Sequence, residues 1–378
     1  MPLFHDEDQA MLADTVRGFV ASEAPVAHLR ALRDADNQDG FDRALWKKFA
    51  EMGFTGLMVA EADGGLGMGH VEAGIVLEEI GRNLTPSPFL ASSIGAVAAL
   101  NAGGAHHREA WFPKLLGGDA TFALAIDEGP KHRPERIALR AERAGNGFRL
   151  SGAKCFVVQG GSADLLIVAA RTGGADDEAQ GITLFAVPRG SSGLSADSVR
   201  LVDSAMAAHV RFDGVEVDAD AVIGEVDEGH AILKTMLAAV RTGAAAEMVG
   251  VGAGAMDMTV DYLKQRKQFD RLIGEFQALQ HRAAHLYTEM EIARAAVLKA
   301  QQLLDEGAES AELMVSVAKA KAGKAANLAV REGVQMHGGI GMTDEYDIGF
   351  YMKRDRALAE YMGDVRYHAN RVAEIGGY

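Results

Sequence analysis

The stretch Arg266-Lys-Gln-Phe269-Asp-Arg-Leu-Ile-Gly-Glu-Phe276-Gln277 separates two long Ala-rich runs of helical character. It places cations, a large aromatic ring, the turn-forming Gly274 and a carboxamide within one loop and the start of a helix. Arg266 can bind phosphate oxygens with both arms of its guanidinium, Phe269 can stack on a purine, and the amides that open the helix add positive potential. This combination favours a phosphate-bearing nucleotide as ligand. The alternative is a solvated connector in which Phe269 covers a core.

Composition and charge narrow the class of protein. The 378 residues allow two or three domains, and the net charge of -15 would repel a nucleic acid or an anionic membrane. No uninterrupted apolar run reaches membrane-spanning length, and the acidic N-terminus lacks the basic and apolar regions of an export signal. The single Cys155 excludes an internal disulfide and a multi-thiolate metal site. We therefore expect a cytoplasmic protein with a small ligand and without membrane insertion.

The period of the hydrophobic pattern changes twice along the chain. Residues 1–118 have helical spacing, residues 119–224 contain short β-rich runs separated by Gly, Asn, Asp and Pro, and residues 225–378 are helical again. The pattern predicts an α+β fold with an N-terminal helical domain, a small antiparallel β domain in the middle and a C-terminal helical bundle. Within the β domain, Gly145-Asn-Gly147 predicts a hairpin turn. The acidic, Gly-containing loop from Gly173 to Gly181 is expected to be exposed and mobile.

The helix after Glu275 carries an apolar seam, because its apolar residues recur three and four positions apart. A seam of this kind needs a partner helix, and the Ala-rich segments 229–264 and 309–335 have small faces that permit close approach. Any part of the seam left unpaired could join subunits. The seam consists of Phe276, Leu279, Ala283, Leu286, Met290, Ala293, Val297, Ala300 and Leu304.

Two motifs suggest ligands that their context does not support. Gly250-Val-Gly252-Ala-Gly254 resembles a dinucleotide-binding fingerprint, but it lies inside an Ala-rich helix rather than after a strand. His281 and His285 share a helical face with Glu289 at a spacing that could hold a metal. That face is opposite the apolar seam, so we interpret these residues as surface histidines and predict no metal site.

A third motif, Gln335-Met336-His337-Gly338-Gly339, ends a predicted helix in paired glycines. Glycine lets backbone amides approach a ligand where a side chain would collide, although a simple helix C-cap would use the same residues. Together with the stretch from Arg266 to Gln277, this motif resembles the acyl-CoA dehydrogenase family of flavoproteins.

The resemblance extends over essentially the whole chain, including Asp63-Gly-Gly-Leu-Gly67 near the N-terminus and Phe148-Arg-Leu-Ser-Gly-Ala-Lys154 in the β region. It implies FAD as cofactor, a role in lipid metabolism, and a homotetramer or other dimer of dimers. Arg266, Phe269 and Gln277 would reach the FAD of a neighbouring subunit. Gln335, Met336, His337, Gly338 and Gly339 would contact its nucleotide end. Phe156 and Val158 stand where the family places Trp and Thr against the flavin ring.

The resemblance also implies a reaction, in which a carboxylate base removes the α-proton of an acyl-CoA thioester while the β-hydrogen leaves as hydride. Electrons then pass to an electron-transfer flavoprotein. Gly363 occupies the position of the family's common base, and Val240, before Arg241, occupies the alternative position. Asp364 is then the candidate base and Arg241 a candidate catalytic neighbour. Asp364 could instead only cap a helix.

The sequence departs from the family elsewhere as well. Residues 125–134 replace the family's loop that contacts flavin and CoA, and Lys131, His132 and Arg133 are either substitute phosphate ligands or surface charge. Glu247 is a poorer candidate base than Asp364. It lies six residues beyond Arg241, and on a helix this spacing directs its side chain away from that position. Three functions remain open at this point: an FAD-dependent acyl-CoA dehydrogenase, a non-catalytic partner subunit of a heteromeric dehydrogenase, and a flavin oxidase with a non-thioester substrate.

Overall fold

The computed structural model of the protein describes residues 3–378. Helices occupy the N-terminal region, a β-sheet follows, and a helical bundle completes the chain, which confirms the predicted fold class. A π-helical segment, Leu90–Ala96, precedes the fifth helix of the N-terminal region. The helices before the sheet are α1 (Glu7–Glu23), α2 (Val26–Asp34), α3 (Arg43–Glu51), α4 (His70–Arg82), α5 (Val97–Asn101) and α6 (Ala105–Leu116).

The middle of the chain forms one sheet with the strand order β6-β7-β3-β2-β4-β5-β8, and β1 pairs with β4 at its side. Its pairs are antiparallel except that β1 and the first residue of β2 pair in parallel with β4, a detail that alternation in the sequence does not encode. The strands are β1 (Phe122–Ala125), β2 (Arg140–Ala144), β3 (Gly147–Val158), β4 (Leu165–Arg171), β5 (Ile182–Pro188), β6 (Leu194–Arg200), β7 (Met206–Val217) and β8 (Val222–Ile223).

The hairpin between β2 and β3 confirms the predicted turn. Ala144 pairs with Gly147, so the loop contains only Gly145 and Asn146, and Gly145 has a φ of 58°. A two-residue hairpin loop requires this left-handed conformation, which glycine adopts without steric cost. The sheet buries a core that includes Phe148. The ring of Phe148 packs edge-on against that of Phe185, with 5.2 Å between the ring centroids.

The loop from Gly173 to Gly181 is exposed, as predicted, but a buried guanidinium holds it in place. Arg171 is 1% exposed, and its Nη1 donates to the carbonyls of Glu178 and Gln180 at 2.9 and 2.7 Å. Its Nη2 donates to the carbonyl of Asp176 at 2.9 Å. The composition of the loop, from which mobility was expected, does not reveal these hydrogen bonds, because Arg171 lies before the loop in β4.

We expect Arg171→Met to loosen this loop, because three loop carbonyls lose a charged donor, worth about 1.5–3 kcal/mol per hydrogen bond. Limited proteolysis should then cut within residues 173–181 at least about tenfold faster than in the unaltered protein. Arg140→Met is the matched control, since Arg140 bonds the side chain of Asp176 from the surface at 2.5 Å. Equal cleavage rates in the two variants would contradict this role for Arg171.

The second half of the chain is helical apart from a short β-hairpin. The hairpin pairs β9 (Lys267–Gln268) with β10 (Arg271–Leu272). The predicted seam is buried from Leu286 to Ala300, whereas its start near Phe276 and Leu279 is only half-buried in the single chain. The helices are α7 (Gly229–Gln265), α8 (Gln277–Asp305), α9 (Ala311–His337), α10 (Ile348–Glu360) and α11 (Val365–Ile375).

The glycines of the rejected fingerprint have a packing role inside α7. A Cβ on Gly250 would lie 1.9 Å from the carbonyl oxygen of Glu78 on α4. A Cβ on Gly81 of α4 would in turn lie 2.1 Å from the carbonyl oxygen of Glu247. The two helix backbones therefore touch at this crossing, and the sequence motif reflects close helix packing.

Contacts divide the chain into two compact units, one formed by residues 3–31, 70–85 and 241–378, the other by residues 32–69 and 86–240. The first unit contains α1, α4, α7 from Arg241 onward and the helices α8 to α11, and the second contains the sheet and the start of α7. The domain boundaries expected after residues 118 and 224 remain predictions. No helix within residues 3–378 combines the length and apolar character needed to cross a membrane.

Candidate functional site

The hairpin at residues 266–272 presents Phe269 in a strained and exposed conformation. Its strands pair Gln268 with Arg271, so Phe269 and Asp270 alone form the turn, with φ values of 55° and 62°. This is the left-handed pattern of a type I′ turn, in which Asn-Gly is usual and a bulky residue costs roughly 1–2 kcal/mol. The side chain of Phe269 is 87% exposed. Strain and exposure at one aromatic side chain indicate a position selected for contact with another molecule.

Arg266 lies at the base of this hairpin, where its carbonyl accepts a hydrogen bond from the amide of Ile273. Within residues 3–378 its exposed guanidinium has no hydrogen-bond or ion-pair partner. Gln277 is the first residue of α8, and the N-cap residue Phe276 makes no side-chain cap hydrogen bond within residues 3–378. A helix N-terminus without a side-chain cap and a guanidinium without a partner among residues 3–378 each suit a phosphate group.

The helix α9 ends where the sequence predicted, in the pair Gly338-Gly339. Gly338 has a φ of 67°, which favours glycine, and a Cβ added at either residue would meet nothing within 4 Å. The pair is therefore an exposed stretch of backbone with open space in front of it. Gln335, one turn earlier, is exposed as well.

Met336 and His337 differ from their neighbours, because both side chains are buried. The ring of His337 lies 4.4 Å from that of Tyr262 and 4.8 Å from that of Tyr346. Its Nδ1 bonds the carbonyl of Gly333 at 2.7 Å, and burial lowers its pKa. Met336 and His337 can thus offer a ligand their backbone but not their side chains, a distinction that the sequence motif did not make.

Phe156 and Val158 lie on β3 beside an irregularity in the sheet. Three steps along β3, from Lys154 to Val157, match two steps along β7, so the strand bulges at Cys155 and Phe156. Phe156 has a φ of 52°, is 51% exposed and lies 6.0 Å from the ring of His209. Bulges of this kind redirect side chains next to functional sites. Phe156 is thus placed to stack on a ligand, whereas Val158 is half-buried.

Two acidic residues of the loop at residues 125–134 fix its conformation through hydrogen bonds. The two carboxylate oxygens of Asp127 lie 3.0 and 2.9 Å from Nδ1 of His132. Glu128 accepts a 2.6 Å bond from the buried Lys154 and caps two backbone amides of the segment before β2. His132 is therefore engaged with Asp127, while Lys131 and Arg133 are exposed. Of the three suggested phosphate ligands, only these two side chains are available.

The corner between α10 and α11 carries Gly363, the residue that the resemblance aligns with the family's common base. Its φ is 107°, and a Cβ there would lie 2.4 Å from Cδ1 of Tyr367 and 2.9 Å from Nε2 of His368. Backbone conformation and neighbours both exclude a larger side chain at residue 363. The conformation and packing of this corner therefore favour glycine at residue 363.

Asp364 follows directly and caps α11, with one carboxylate oxygen accepting a 2.7 Å bond from the amide of Tyr367. Arg241 is buried, and its Nε donates to the carbonyl of Met362 at 3.2 Å. Its Nη2 donates to the hydroxyl of Tyr367 at 2.8 Å. Arg241 and Asp364 therefore belong to the same corner. Arg241 hydrogen-bonds its backbone at Met362, and Asp364 follows two residues later with a half-buried side chain. The capping role considered for Asp364 is observed, and its second oxygen is not used by the cap.

The two other positions considered for a base have structural partners. Val240 is buried, and its Cγ2 would lie 2.8 Å from a Cβ added to Gly95, so a carboxylate there would enter an apolar environment. Glu247 is 2% exposed and accepts bonds of 2.8 and 2.5 Å from Arg354. Asp364 remains the candidate acid at the corner.

Sequence reasoning missed two residues of this corner, Tyr367 and Lys319. Lys319 is 2% exposed on α9 and bonds the carbonyls of Leu358 and Gly363. A signal for it existed, because the positions three or four residues away on the helix, Val315 and Ala322, belong to the apolar face of α9. Nothing in the local sequence indicated Tyr367.

Three family models match the chain consecutively. They describe the N-terminal domain of acyl-CoA dehydrogenases over residues 6–119, the middle domain over 133–215 and the C-terminal domain over 227–376. Together they cover nearly the whole chain, including the hairpin at residues 266–272, the glycine pair and the Gly363 corner.

Individual relatives cover the chain at similar length. The acyl-CoA dehydrogenase IpdE2 of Mycolicibacterium smegmatis is 30% identical over 373 residues, which are 98% of this chain and 99% of the relative. A 3-(aryl)acrylate reductase of Clostridium sporogenes is 29% identical over 370 residues, or 96% of each chain. The solved ChsE4-ChsE5 complex of Mycobacterium tuberculosis has a similar chain, with 26% identity, a TM-score of 0.89 and coverage of 100% of this chain and 99% of that one.

Proposed function

The chain belongs to the acyl-CoA dehydrogenase family, whose members are FAD-dependent oxidoreductases acting on CH–CH bonds, and we propose that it binds FAD and dehydrogenates an acyl-CoA thioester. The observation that carries the proposal is the strained, exposed Phe269 in the hairpin that begins at Arg266, whose guanidinium has no partner among the described residues. The aromatic ring would stack on the base of a dinucleotide, and the cation would bind its pyrophosphate.

The described residues fit FAD in several places. Arg266 would pair with phosphate oxygens, Phe269 would stack on a ring, and the first amides of α8 at Gln277 would add positive potential. The open backbone at Gly338-Gly339 would approach the nucleotide end, and the bulged Phe156 would lie against the flavin. Because Phe269 is exposed on a single chain, we propose that a second subunit contributes to the site, as in a dimer of dimers.

Bound FAD would supply the acceptor for the hydride that leaves the β-carbon of the substrate. The chain's own task is then to remove the α-proton and to hold the thioester carbonyl as negative charge develops on it. Asp364 is the proposed base, since its second carboxylate oxygen is not used by the helix cap. Arg241 fixes the carbonyl of Met362 and so positions the backbone next to Asp364. An electron-transfer flavoprotein is the proposed acceptor of the electrons.

Asp364→Asn tests the assignment of the base. Asn caps a helix about as well as Asp, so α11 should remain folded and FAD should remain bound, while proton abstraction slows about a hundredfold to ten-thousandfold. The measurement is the rate at which an acyl-CoA thioester bleaches the flavin under anaerobic conditions, together with FAD content per chain. Bleaching at the unaltered rate would exclude Asp364.

A second candidate function is a partner subunit that lacks the base and contributes FAD-binding residues to a heteromeric dehydrogenase. The conformation of Gly363 favours it, since no larger side chain fits at that position. The similar ChsE4-ChsE5 chain comes from a complex of two different components. Co-expression distinguishes the two candidates. Protein that is colourless alone, and yellow only with a second dehydrogenase-like chain, would establish the partner role.

A flavin oxidase with a non-thioester substrate is the third possibility from the sequence. It would consume oxygen without an electron-transfer partner, whereas a dehydrogenase would need the flavoprotein for turnover. Measuring oxygen uptake with and without an electron-transfer flavoprotein therefore separates them.

A further inference from the structure

A buried lysine joins the end of α10 to the start of α11. Lys319 on α9 is 2% exposed, and its Nζ donates to the carbonyl of Leu358 at 3.0 Å and to that of Gly363 at 3.3 Å. Leu358 lies in the last turn of α10, whose carbonyls lack partners within the helix. One ammonium group thus ties the helix end to the corner that carries Asp364.

This corner needs external support, because its backbone is strained at the non-glycine residue Met362. Met362 and Gly363 have φ values of 56° and 107°, both in the left-handed region. The carbonyl of Met362 bonds Nε of Arg241 and Nε2 of His368 at 3.2 and 3.1 Å. Strained backbone persists where the surroundings fix it, and here cationic or imidazole side chains bond two successive carbonyls.

Charged groups from each neighbouring element face Lys319. Arg241 of α7 is a like charge, whereas Asp355 and Glu360 of α10 and Asp364 at the start of α11 are opposite charges. Asp355 is 1% exposed, and its Oδ2 accepts a 3.0 Å bond from Asn327. Its Oδ1 has no hydrogen-bond partner in the part of the chain that the structure describes. Burying an ammonium ion is costly unless it is paired and hydrogen-bonded, and packing alone would be served by an apolar residue.

We propose that Lys319 is a positioning residue, whose ammonium fixes the backbone at residues 362–364 and thereby the direction of the Asp364 carboxylate and of the Gly363 amide. The proposal deepens the function proposed above and rests on it for its catalytic consequence. The holding of the corner by Lys319 can be tested whether or not the chain is catalytic alone.

Titration gives this role a distinct signature. Burial lowers the pKa of Lys319 to about 8, with Arg241 acting in the same direction and the three acids opposing it. Above that pH the ammonium loses its charge, and its hydrogen bonds to the two carbonyls weaken. Flavin bleaching should therefore slow as the pH rises past about 8. The effect of pH on folding stability has the opposite sign. The folded pKa is below the ordinary value of 10.5, so the unfolded chain binds more protons between these values, and this group's contribution to stability rises with pH.

The experiment compares Lys319→Met and Lys319→Arg with the unaltered holoprotein. Lys321→Met is the control, because Lys321 is on the same helix but pairs with Glu289 at 2.6 Å. Hydrogen exchange of the amides in residues 359–368 should be at least about tenfold faster in Lys319→Met and close to normal in Lys319→Arg and the control. Bleaching should slow about tenfold to a hundredfold in Lys319→Met, with FAD still bound. The decline near pH 8 should vanish in Lys319→Arg, which stays charged.

Unchanged exchange in Lys319→Met would overturn the proposal. Faster exchange with unaltered bleaching and an unaltered pH profile would also overturn it, since Lys319 would then only stabilise the corner. If Lys319→Met does not fold, Lys319→Arg decides by whether the decline near pH 8 persists. If the unaltered protein binds FAD but no thioester bleaches it, the proposed function fails separately, and hydrogen exchange still decides whether Lys319 holds the corner.

Discussion

Gly250→Ala should lower the free energy of unfolding by at least about 3 kcal/mol, the upper range for an overpacked core. The added Cβ would lie 1.9 Å from the carbonyl oxygen of Glu78 and 2.7 Å from its carbonyl carbon, and neither backbone atom can rotate away. The helices α4 and α7 would have to separate along their crossing, including at Gly81, where the reverse contact is 2.1 Å. The measurement is the midpoint of chemical denaturation, followed by helical circular dichroism.

Gly18→Ala provides the control for Gly250→Ala. Gly18 lies within α1, and a Cβ there would meet nothing within 4 Å. Alanine in a helix interior is favoured over glycine by about 0.5–1 kcal/mol, so this variant should be slightly more stable than the unaltered protein. A similar loss of stability in both variants would contradict the close crossing of α4 and α7.

Arg266→Ala should weaken the binding of FAD about a hundredfold, equivalent to about 3 kcal/mol, because a bidentate pair with phosphate oxygens would be lost. The guanidinium has no partner among the described residues, so the substitution should not destabilise the chain. Phe269→Ala should weaken FAD binding by about 1–3 kcal/mol through lost stacking. Alanine keeps the Cβ and therefore the left-handed backbone strain of residue 269, so the stability of the hairpin should change little.

Lys267→Ala is the matched control for Arg266→Ala. It removes the same charge from the same exposed hairpin, one residue away, and so reports the general electrostatic contribution. The dissociation constant of FAD, measured by fluorescence titration of the apoprotein, should change much less for Lys267→Ala. Equal effects of the two substitutions would contradict a specific phosphate contact at Arg266.

The sequence predicted features that depend on local periodicity and turn chemistry. The change from helical to alternating spacing near residue 119 marked the sheet, and Gly145-Asn-Gly147 marked the hairpin, because a two-residue turn needs a residue that adopts positive φ. The end of α9 at Gly338 was visible for the same reason. These features are set by residues that are neighbours along the chain.

Features that depend on distant contacts were not predictable in this way. The glycines from Gly250 onward were recognised as a motif, but only the position of α4 shows that Gly250 allows backbone contact. The loop after Gly173 was expected to be mobile from its acidic residues and glycines, and its hydrogen bonds to Arg171 were missed because Arg171 belongs to the preceding strand. At the Gly363 corner the sequence identified Asp364 as the candidate base, whereas the supporting contacts of Lys319 and Tyr367 come from residues far apart in sequence.

Anaerobic mixing of the purified holoprotein with acyl-CoA thioesters, followed by the visible absorbance of the flavin, decides whether the chain is a flavin-dependent dehydrogenase. We expect protein that carries FAD, about one per chain, and a flavin spectrum that bleaches on addition of a suitable thioester. Protein that binds no FAD, whether alone or co-expressed with a second dehydrogenase-like chain, would contradict this expectation.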